Sequence, residues 1–508
     1  MHTDIQNIGI IGAGIMGTGI AQIAIQSKHH VYLYDTQPGA AQKAQAQLEI
    51  TLSKLRDKQK ISAVQYDDAL THLHIAEQIE ALRDCQLVIE AIVEKLEVKQ
   101  KLMQQLEAVV SLDTILASNT SSLSITAIAS QCKHPERVAG YHFFNPVPLM
   151  KVVEVIQGLR TKPEISVQLT ALAQKMGHRP VRTQDTPGFI INHAGRAYGT
   201  EALKILSENV ASIAKIDQIL KASLGFKMGP FELMDLTGLD VSHPVMESIY
   251  QQYYQEPRYR PNVLTQQMLI GKKLGRKTCA GFYLYIEQKK QEISEETHFY
   301  PQSNAINHVW LHTEFEADLQ CLSHYFHSKG IHINNAKQPK QNDLIVLATY
   351  GEDATHSALR VGVDPRRTVC IDMLGDFQHC RTLMPNLRTE QSYIEAAIHL
   401  FSSPDCSVNV IEESLGFISQ RVLAMIINLA CDMAQQQIAT AQDINDAVRL
   451  GLAYPHGPIE WGDLVGADKI LLILERMSQI SHDPRYRPSP WLQRRCKLQL
   501  SLTYTPDT

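Results

Sequence analysis

The stretch that most restricts the fold is Gly12-Ala13-Gly14-Ile15-Met16-Gly17, set between the apolar run Asn7-Ile8-Gly9-Ile10-Ile11 and a helical run from Thr18 to Gln26. Gly-x-Gly-x-x-Gly between a strand and a helix is a dinucleotide-binding turn. Gly12 permits the tight bend, Gly14 lets the backbone approach a pyrophosphate, and Gly17 allows the helix to pack closely. The helix N-terminus, with Ile15 and Met16 beside it, then faces the negative charge. A second strand, His30-Val31-Tyr32-Leu33-Tyr34, ends in Asp35. A carboxylate there accepts both hydroxyls of an adenosine ribose and repels a 2′-phosphate, so NAD is expected rather than NADP.

At 508 residues the chain is too long for a single core, and its 44% hydrophobic content fills two to four domains. A net charge of -5 gives no overall basic field for nucleic acid. Nine scattered cysteines, with no Cys-x-x-Cys and no histidine cluster at ligand spacing, argue against a metal site and a disulfide framework, and fit a reducing cytoplasm. No apolar run approaches membrane length, and the N-terminus runs directly into a strand, so neither membrane insertion nor secretion is expected.

Further strands are predicted at Leu73 to Ala76, Cys85 to Ala91 and Thr114 to Ala117, and a long polar helix between Gly39 and Lys60. Polar residues at the carboxyl ends of successive parallel strands point into the crevice where such a sheet binds ligands, which brings Glu94, Ser121 and His142 to the nicotinamide end of the cofactor. His142 opens a stretch of two short strands joined by a bend at Pro146 and Pro148, and Glu154 stands inside Val-Val-Glu-Val-Ile. Two readings of this stretch stay open at the level of the residues. One is a general base oriented by a carboxylate; the other is a core histidine with a satisfied hydrogen bond and a glutamate on an exposed edge strand.

The series Gly12 to Gly17, Glu90-Ala91-Ile92-Val93-Glu94, Ser118-Asn119-Thr120-Ser121-Ser122 and His142-Phe143-Phe144-Asn145-Pro146 resembles the 3-hydroxyacyl-CoA dehydrogenase family. So do Asp185-Thr186-Pro187-Gly188-Phe189-Ile190-Ile191-Asn192 and Gly275-Arg276-Lys277-Thr278-Cys279-Ala280-Gly281-Phe282-Tyr283. The resemblance implies that His142 is the catalytic histidine and Glu154 its partner, with Ser121 and Asn192 holding the substrate oxygens. It implies Glu94, Lys99 and Asn119 as cofactor contacts, and places Thr51 and Lys58 near coenzyme A. His193 stands where the family usually has arginine.

Beyond Arg182 the pattern turns helical, with helices expected at Phe189 to Leu206 and Ile213 to Leu224, and then it repeats. Gly416-Phe417-Ile418 copies Gly188-Phe189-Ile190, Gly457-Pro458 copies Gly229-Pro230, and Gly466 copies Gly238, every pair at one and the same separation along the chain. Between the copies lie strand-like runs at Ala305 to Leu311, Asp343 to Ala348 and Thr368 to Asp372, without a glycine loop. The expected architecture is an α/β Rossmann NAD-binding domain (1–182) and an all-α domain (183–286), a polar linker (287–304), then a degenerate copy of both (305–410 and 411–508) that binds no second cofactor. The two helical copies are expected to pair as an internal pseudo-dimer, and a homodimer remains open. Within the family this arrangement resembles the bacterial 3-hydroxyadipyl-CoA dehydrogenases of phenylacetate degradation and their 3-hydroxybutyryl-CoA relatives. It implies NAD-dependent oxidation of a (3S)-3-hydroxyacyl-CoA, against the rival of a non-catalytic, crystallin-like NAD-binding protein.

Overall fold

The computed structural model describes residues 5–291, 306, 308–403 and 406–505. Most of the expected linker, residues 292–304, and the start of the following strand at Ala305 lie outside them. Where the linker was expected to begin, Tyr285–Ile286 (β9) and Lys289–Lys290 (β10) instead pair as a short antiparallel hairpin.

The first sheet has eight strands: β1 (Asn7–Ile11), β2 (His30–Tyr34), β3 (Leu73–Ile75), β4 (Leu87–Glu90), β5 (Ile115–Ser118), β6 (Val138–Phe143), β7 (Val152–Gln157) and β8 (Arg179–Gln184). Their order is β3-β2-β1-β4-β5-β6-β7-β8, and only the β6/β7 pair is antiparallel. The central strands are apolar runs because helices cover both faces. Ile8, Leu33, Leu87 and Ile89 are fully buried in that core. The chain leaves β1 for β2 on one side and reaches β4 on the other, so the strand order reverses at β1. A crevice opens there outside the carboxyl ends of β1 and β4.

Two compact units divide the chain, and each draws on two stretches: residues 1–193 with 433–453, and 194–432 with 454–508. The first unit thus runs past the sequence-based boundary at 182. The reason is local: Glu154 on β7 accepts hydrogen bonds from the amides of Ile190 and Ile191, at 2.9 and 2.8 Å. It also takes in the Ala441–Gly451 helix, which packs on β7 and β8. There Arg179 meets Asp443 at 2.8 Å and Asp446 at 3.0 Å, and the Gln184 amide donates to the Ile438 carbonyl at 2.9 Å.

The second unit holds a six-stranded sheet built from β11 (His308–Thr313), β12 (His332–Ile333), β13 (Leu344–Ala348), β14 (Thr368–Ile371), β15 (Cys380–Pro385) and β16 (Ser407–Val410). Its order is β12-β11-β13-β14-β15-β16, with β14/β15 the one antiparallel pair. After β11 stands Glu314, bonded to Arg360 and to Arg476. Helices of both sequence repeats meet in this unit. Arg421, 2% exposed, reaches Glu201 at 2.9 Å, and Arg258 reaches Asp432 at 2.8 Å. The expected single helix from Phe189 to Leu206 is two, Ile191–Ala194 and Arg196–Ser207, which meet at Gly195. Among the described residues, no helix is long and apolar enough to cross a membrane.

Candidate active site

The glycine turn has the geometry that a pyrophosphate needs. Gly12 has φ +103°, and a Cβ there would lie 2.5 Å from the Ala91 carbonyl oxygen; one on Gly17 would overlap the Gly12 carbonyl. Around Gly14, by contrast, nothing lies within 4 Å of where a Cβ would be, so its backbone faces open space at the start of the Ile15–Gln26 helix. Asp35 accepts from the Ala13 amide at 2.7 Å and the Gln37 amide at 2.8 Å. Each oxygen keeps a lone pair for a ribose hydroxyl. Ile15 is exposed beside the turn and Met16 is half-buried. These residues fit NAD.

A cavity of about 650 Å³ opens beside this turn, lined by Ala13 to Ile15, by Lys43 and Gln47 of the Ala40–Asp57 helix, and by Asn145 to Pro148. Its lining ends one turn short of Thr51, whose hydroxyl donates to the Gln47 carbonyl at 2.8 Å. Lys58 is exposed at the end of the same helix. Neither is brought to the other site residues.

His142 and Glu154 face each other across the antiparallel β6/β7 pair, and their side chains therefore share one face of the sheet. His142 Nδ1 donates to Glu154 Oε2 at 2.6 Å. A carboxylate only accepts, so Nδ1 carries the proton and Nε2 presents its lone pair. Glu154 is fully buried, with β7 flanked by β6 and β8, which removes the edge-strand reading. Its other oxygen takes the two amides just before Asn192. One carboxylate thus fixes the imidazole and the turn that carries Asn192, whose Nδ2 donates to the Ser121 carbonyl at 3.2 Å.

The Ser121 loop is held from below. Glu94 Oε1 accepts from the Thr120 hydroxyl at 2.6 Å and from the Ser121 and Ser122 amides at 2.9 and 3.2 Å. Burial pushes the Glu94 carboxyl up, but the Lys99 ammonium and these bonds outweigh it and leave its pKa lowered. Lys99 is itself 1% exposed and bound to both oxygens of Glu90, at 2.9 and 2.8 Å, and to Glu94 at 3.3 Å. It lies under the crevice floor as an anchor. Asn119 Oδ1 accepts from the Phe143 amide at 2.8 Å and ties this loop to the strand that carries His142.

Three contributors were missed by sequence reasoning. Glu90, fully buried and also bonded to the Ser118 hydroxyl, sits in Leu-Val-Ile-Glu, and a charge in such a strand was a usable signal. Asp185 accepts from the Ser124 hydroxyl and from the Ile125 and Thr126 amides, at 2.7, 2.9 and 2.7 Å, capping the Ile125–Ala129 helix. The Ala441–Gly451 helix comes far later in the chain than the strands it covers, and no local pattern announces that.

The sequence profile described as the 3-hydroxyacyl-CoA dehydrogenase NAD binding domain matches residues 7–186, and that of the family's C-terminal domain matches twice, at 188–285 and 416–502. The 3-hydroxyadipyl-CoA dehydrogenase of Escherichia coli K12 is 36% identical over 98% of this chain and 99% of its own length. A probable 3-hydroxybutyryl-CoA dehydrogenase of Deinococcus radiodurans is 40% identical over 54% of this chain and 99% of its own. Among solved structures, a 3-hydroxybutyryl-CoA dehydrogenase of Escherichia coli K12 superposes with a TM-score of 0.83 at 36% identity, covering 98% of this chain and 99% of that one. The chain is an NAD-dependent enzyme and belongs to the 3-hydroxyacyl-CoA dehydrogenase family.

Proposed function

We propose that the protein oxidises (3S)-3-hydroxyadipyl-CoA, a thioester with a terminal carboxylate, to its 3-oxo product. The observation that carries the chemistry is the His142–Glu154 pair, with Nε2 left as the base and the Asn192 turn fixed by the same carboxylate. His142 Nε2 takes the hydroxyl proton of the substrate and returns it in the reverse direction. Glu154 stabilises the imidazolium so formed in a poorly solvated site. Ser121 and Asn192 hold the 3-oxygen and the thioester carbonyl. When bound, NAD supplies the hydride acceptor, with its pyrophosphate along Gly12 to Gly17, its ribose on Asp35, and Glu94 and Asn119 near the nicotinamide. Lys99 acts through Glu90 and Glu94. Coenzyme A runs along the Ala40–Asp57 helix toward Thr51 and Lys58, with Lys43 offering a charge in the cavity.

The adipyl assignment draws on the full-length likeness to the Escherichia coli enzyme of that name; the equally long likeness to a solved 3-hydroxybutyryl-CoA dehydrogenase favours a short-chain substrate. Comparing kcat/KM across acyl-CoA lengths, with and without a terminal carboxylate, separates the two. In the same assay His142→Gln is expected to lower kcat by roughly two to four orders of magnitude while NADH still binds. Wild-type protein that binds NADH but does not turn over acetoacetyl-CoA would favour the crystallin-like reading.

The second sheet is read as a degenerate copy of the first. Supporting this, β15 follows β7 at the same separation as the repeated glycines, and Glu413, at the repeat-related position of Asp185, likewise accepts from an amide in the first turn of a helix, that of Thr355. With Glu314 in place of a glycine turn, it takes no dinucleotide. The helical copies are read as an internal pseudo-dimer. The bond from the Gln184 amide to the Ile438 carbonyl recurs, with donor and acceptor each moved by one repeat and the halves exchanged, as Glu412 amide to Val210 carbonyl, both at 2.9 Å. None of the nine cysteines is joined in a disulfide.

A further inference from the structure

Gly451 ends the Ala441–Gly451 helix with no φ in the left-handed region, so its backbone conformation does not call for glycine. The following residue, Leu452, provides the cap. At the repeat-related position of the other half stands Ser223, so this kind of helix tolerates a side chain there. What a side chain at 451 would meet is Ile191: a Cβ would lie 2.4 Å from its Cδ1 and 3.1 Å from its Cγ1. Ile191 is 2% exposed, and the three nearest atoms to such a Cβ all belong to its side chain. Its own amide donates to Glu154 Oε1 at 2.8 Å, and the next residue is Asn192.

The helix is tied to the sheet upstream of Gly451. Asp443 and Asp446 both hold Arg179 on β8, and β8 is hydrogen-bonded to β7, where Glu154 pairs in register with Val181. We propose that Gly451 is a positioning residue for the reaction. Its missing side chain leaves the space that Ile191 fills, and Ile191 in turn keeps its amide on Glu154 and Asn192 beside Ser121. The C-terminal half thereby contributes a working part to the catalytic site of the N-terminal half. This rests on the reading of His142, Glu154 and Asn192 as the reaction machinery.

The test uses full-length protein carrying Gly451→Val, Gly451→Ala, Ile191→Ala, or Gly451→Val with Ile191→Ala. Gly451→Val is expected to lower kcat with acetoacetyl-CoA by about 10- to 100-fold, as sub-ångström to ångström misplacement does, with KM for NADH within about twofold of wild type. The pH-rate profile should shift, because the Glu154 bond to His142 is disturbed. Adding Ile191→Ala to Gly451→Val restores the space and should recover kcat to within about threefold of Ile191→Ala alone. If Gly451→Val does not fold, Gly451→Ala carries the same comparison with a smaller loss, about threefold or more. Unchanged kcat and pH profile in both Gly451 variants would overturn the proposal, as would a loss that Ile191→Ala fails to relieve. A His142→Gln enzyme with near-normal turnover would instead bring down the underlying reading, whatever the Gly451 variants do.

Discussion

Lys99 reaches the Thr120 to Ser122 loop only through a carboxylate, that of Glu94. Its ammonium and the Glu90 carboxylate are both nearly inaccessible to water, and each is the other's compensation. Removing one partner of such a pair leaves a buried charge alone, which costs about 3–5 kcal/mol. Lys99→Met is therefore expected to lower stability by that order in urea unfolding, and to loosen the Thr120 to Ser122 loop through Glu94. A stability change below about 1 kcal/mol would show that water reaches Glu90. Residues of this kind were partly legible in the sequence. Glu154 stood out because a carboxylate inside Val-Val-Glu-Val-Ile demands a partner, and the bend at Pro146 and Pro148 puts His142 opposite it. The Glu90–Lys99 pairing could not be read, since a stretch of turn and helix separates the two and no periodicity gives the direction of either side chain.

The Ile213–Leu224 helix carries a buried acid with the opposite balance. Asp217 accepts from the Phe231 and Glu232 amides and from the Tyr283 hydroxyl, at 3.0, 3.1 and 2.8 Å. Burial nevertheless dominates and pushes its carboxyl from 3.8 up to about 6. The folded state then holds this proton more tightly than the unfolded chain. The resulting stability is fully present below the unfolded pKa of 3.8 and is lost as pH rises through about 6. Relative to Asp217→Asn, the wild-type protein should lose up to about 3 kcal/mol between these two values, read from urea unfolding at a series of pH values. Equal slopes for the two proteins would rule this out. Elements of this size were the most legible part of the sequence. Ile213 to Leu224 was bounded correctly, and the strands near Leu344 and Thr368 were found although no glycine turn marks that sheet. What escaped was destination. The apolar face of Ala441–Gly451 says that it must be covered, but the choice of β8 depends on Arg179 meeting Asp443 and Asp446, contacts between residues 264 and 267 positions apart.

A chain cut after Gln288 would lack residues 433–453, and with them the cover over β8. Arg179 would lose both carboxylates, and the Gln184 amide its acceptor. Such a truncated protein is expected to aggregate, or to pair with a second copy that supplies the missing helix, as light scattering after size-exclusion chromatography would report. A soluble, fully active monomer would refute the pseudo-dimer reading. The discontinuity of the first unit also sets an order of events at the ribosome. His193 and Ala453 are separated by more than half of the chain. At about 5–20 residues per second, Ala453 is added on the order of tens of seconds after His193. For that interval the nascent catalytic half carries His142, Glu154 and Asn192 with the flank of β8 bare. The enzyme is thus born with its chemistry translated early and its last supporting helix late, and a pause in translation between the two lengthens the time during which that flank is open to chaperones and to other nascent chains.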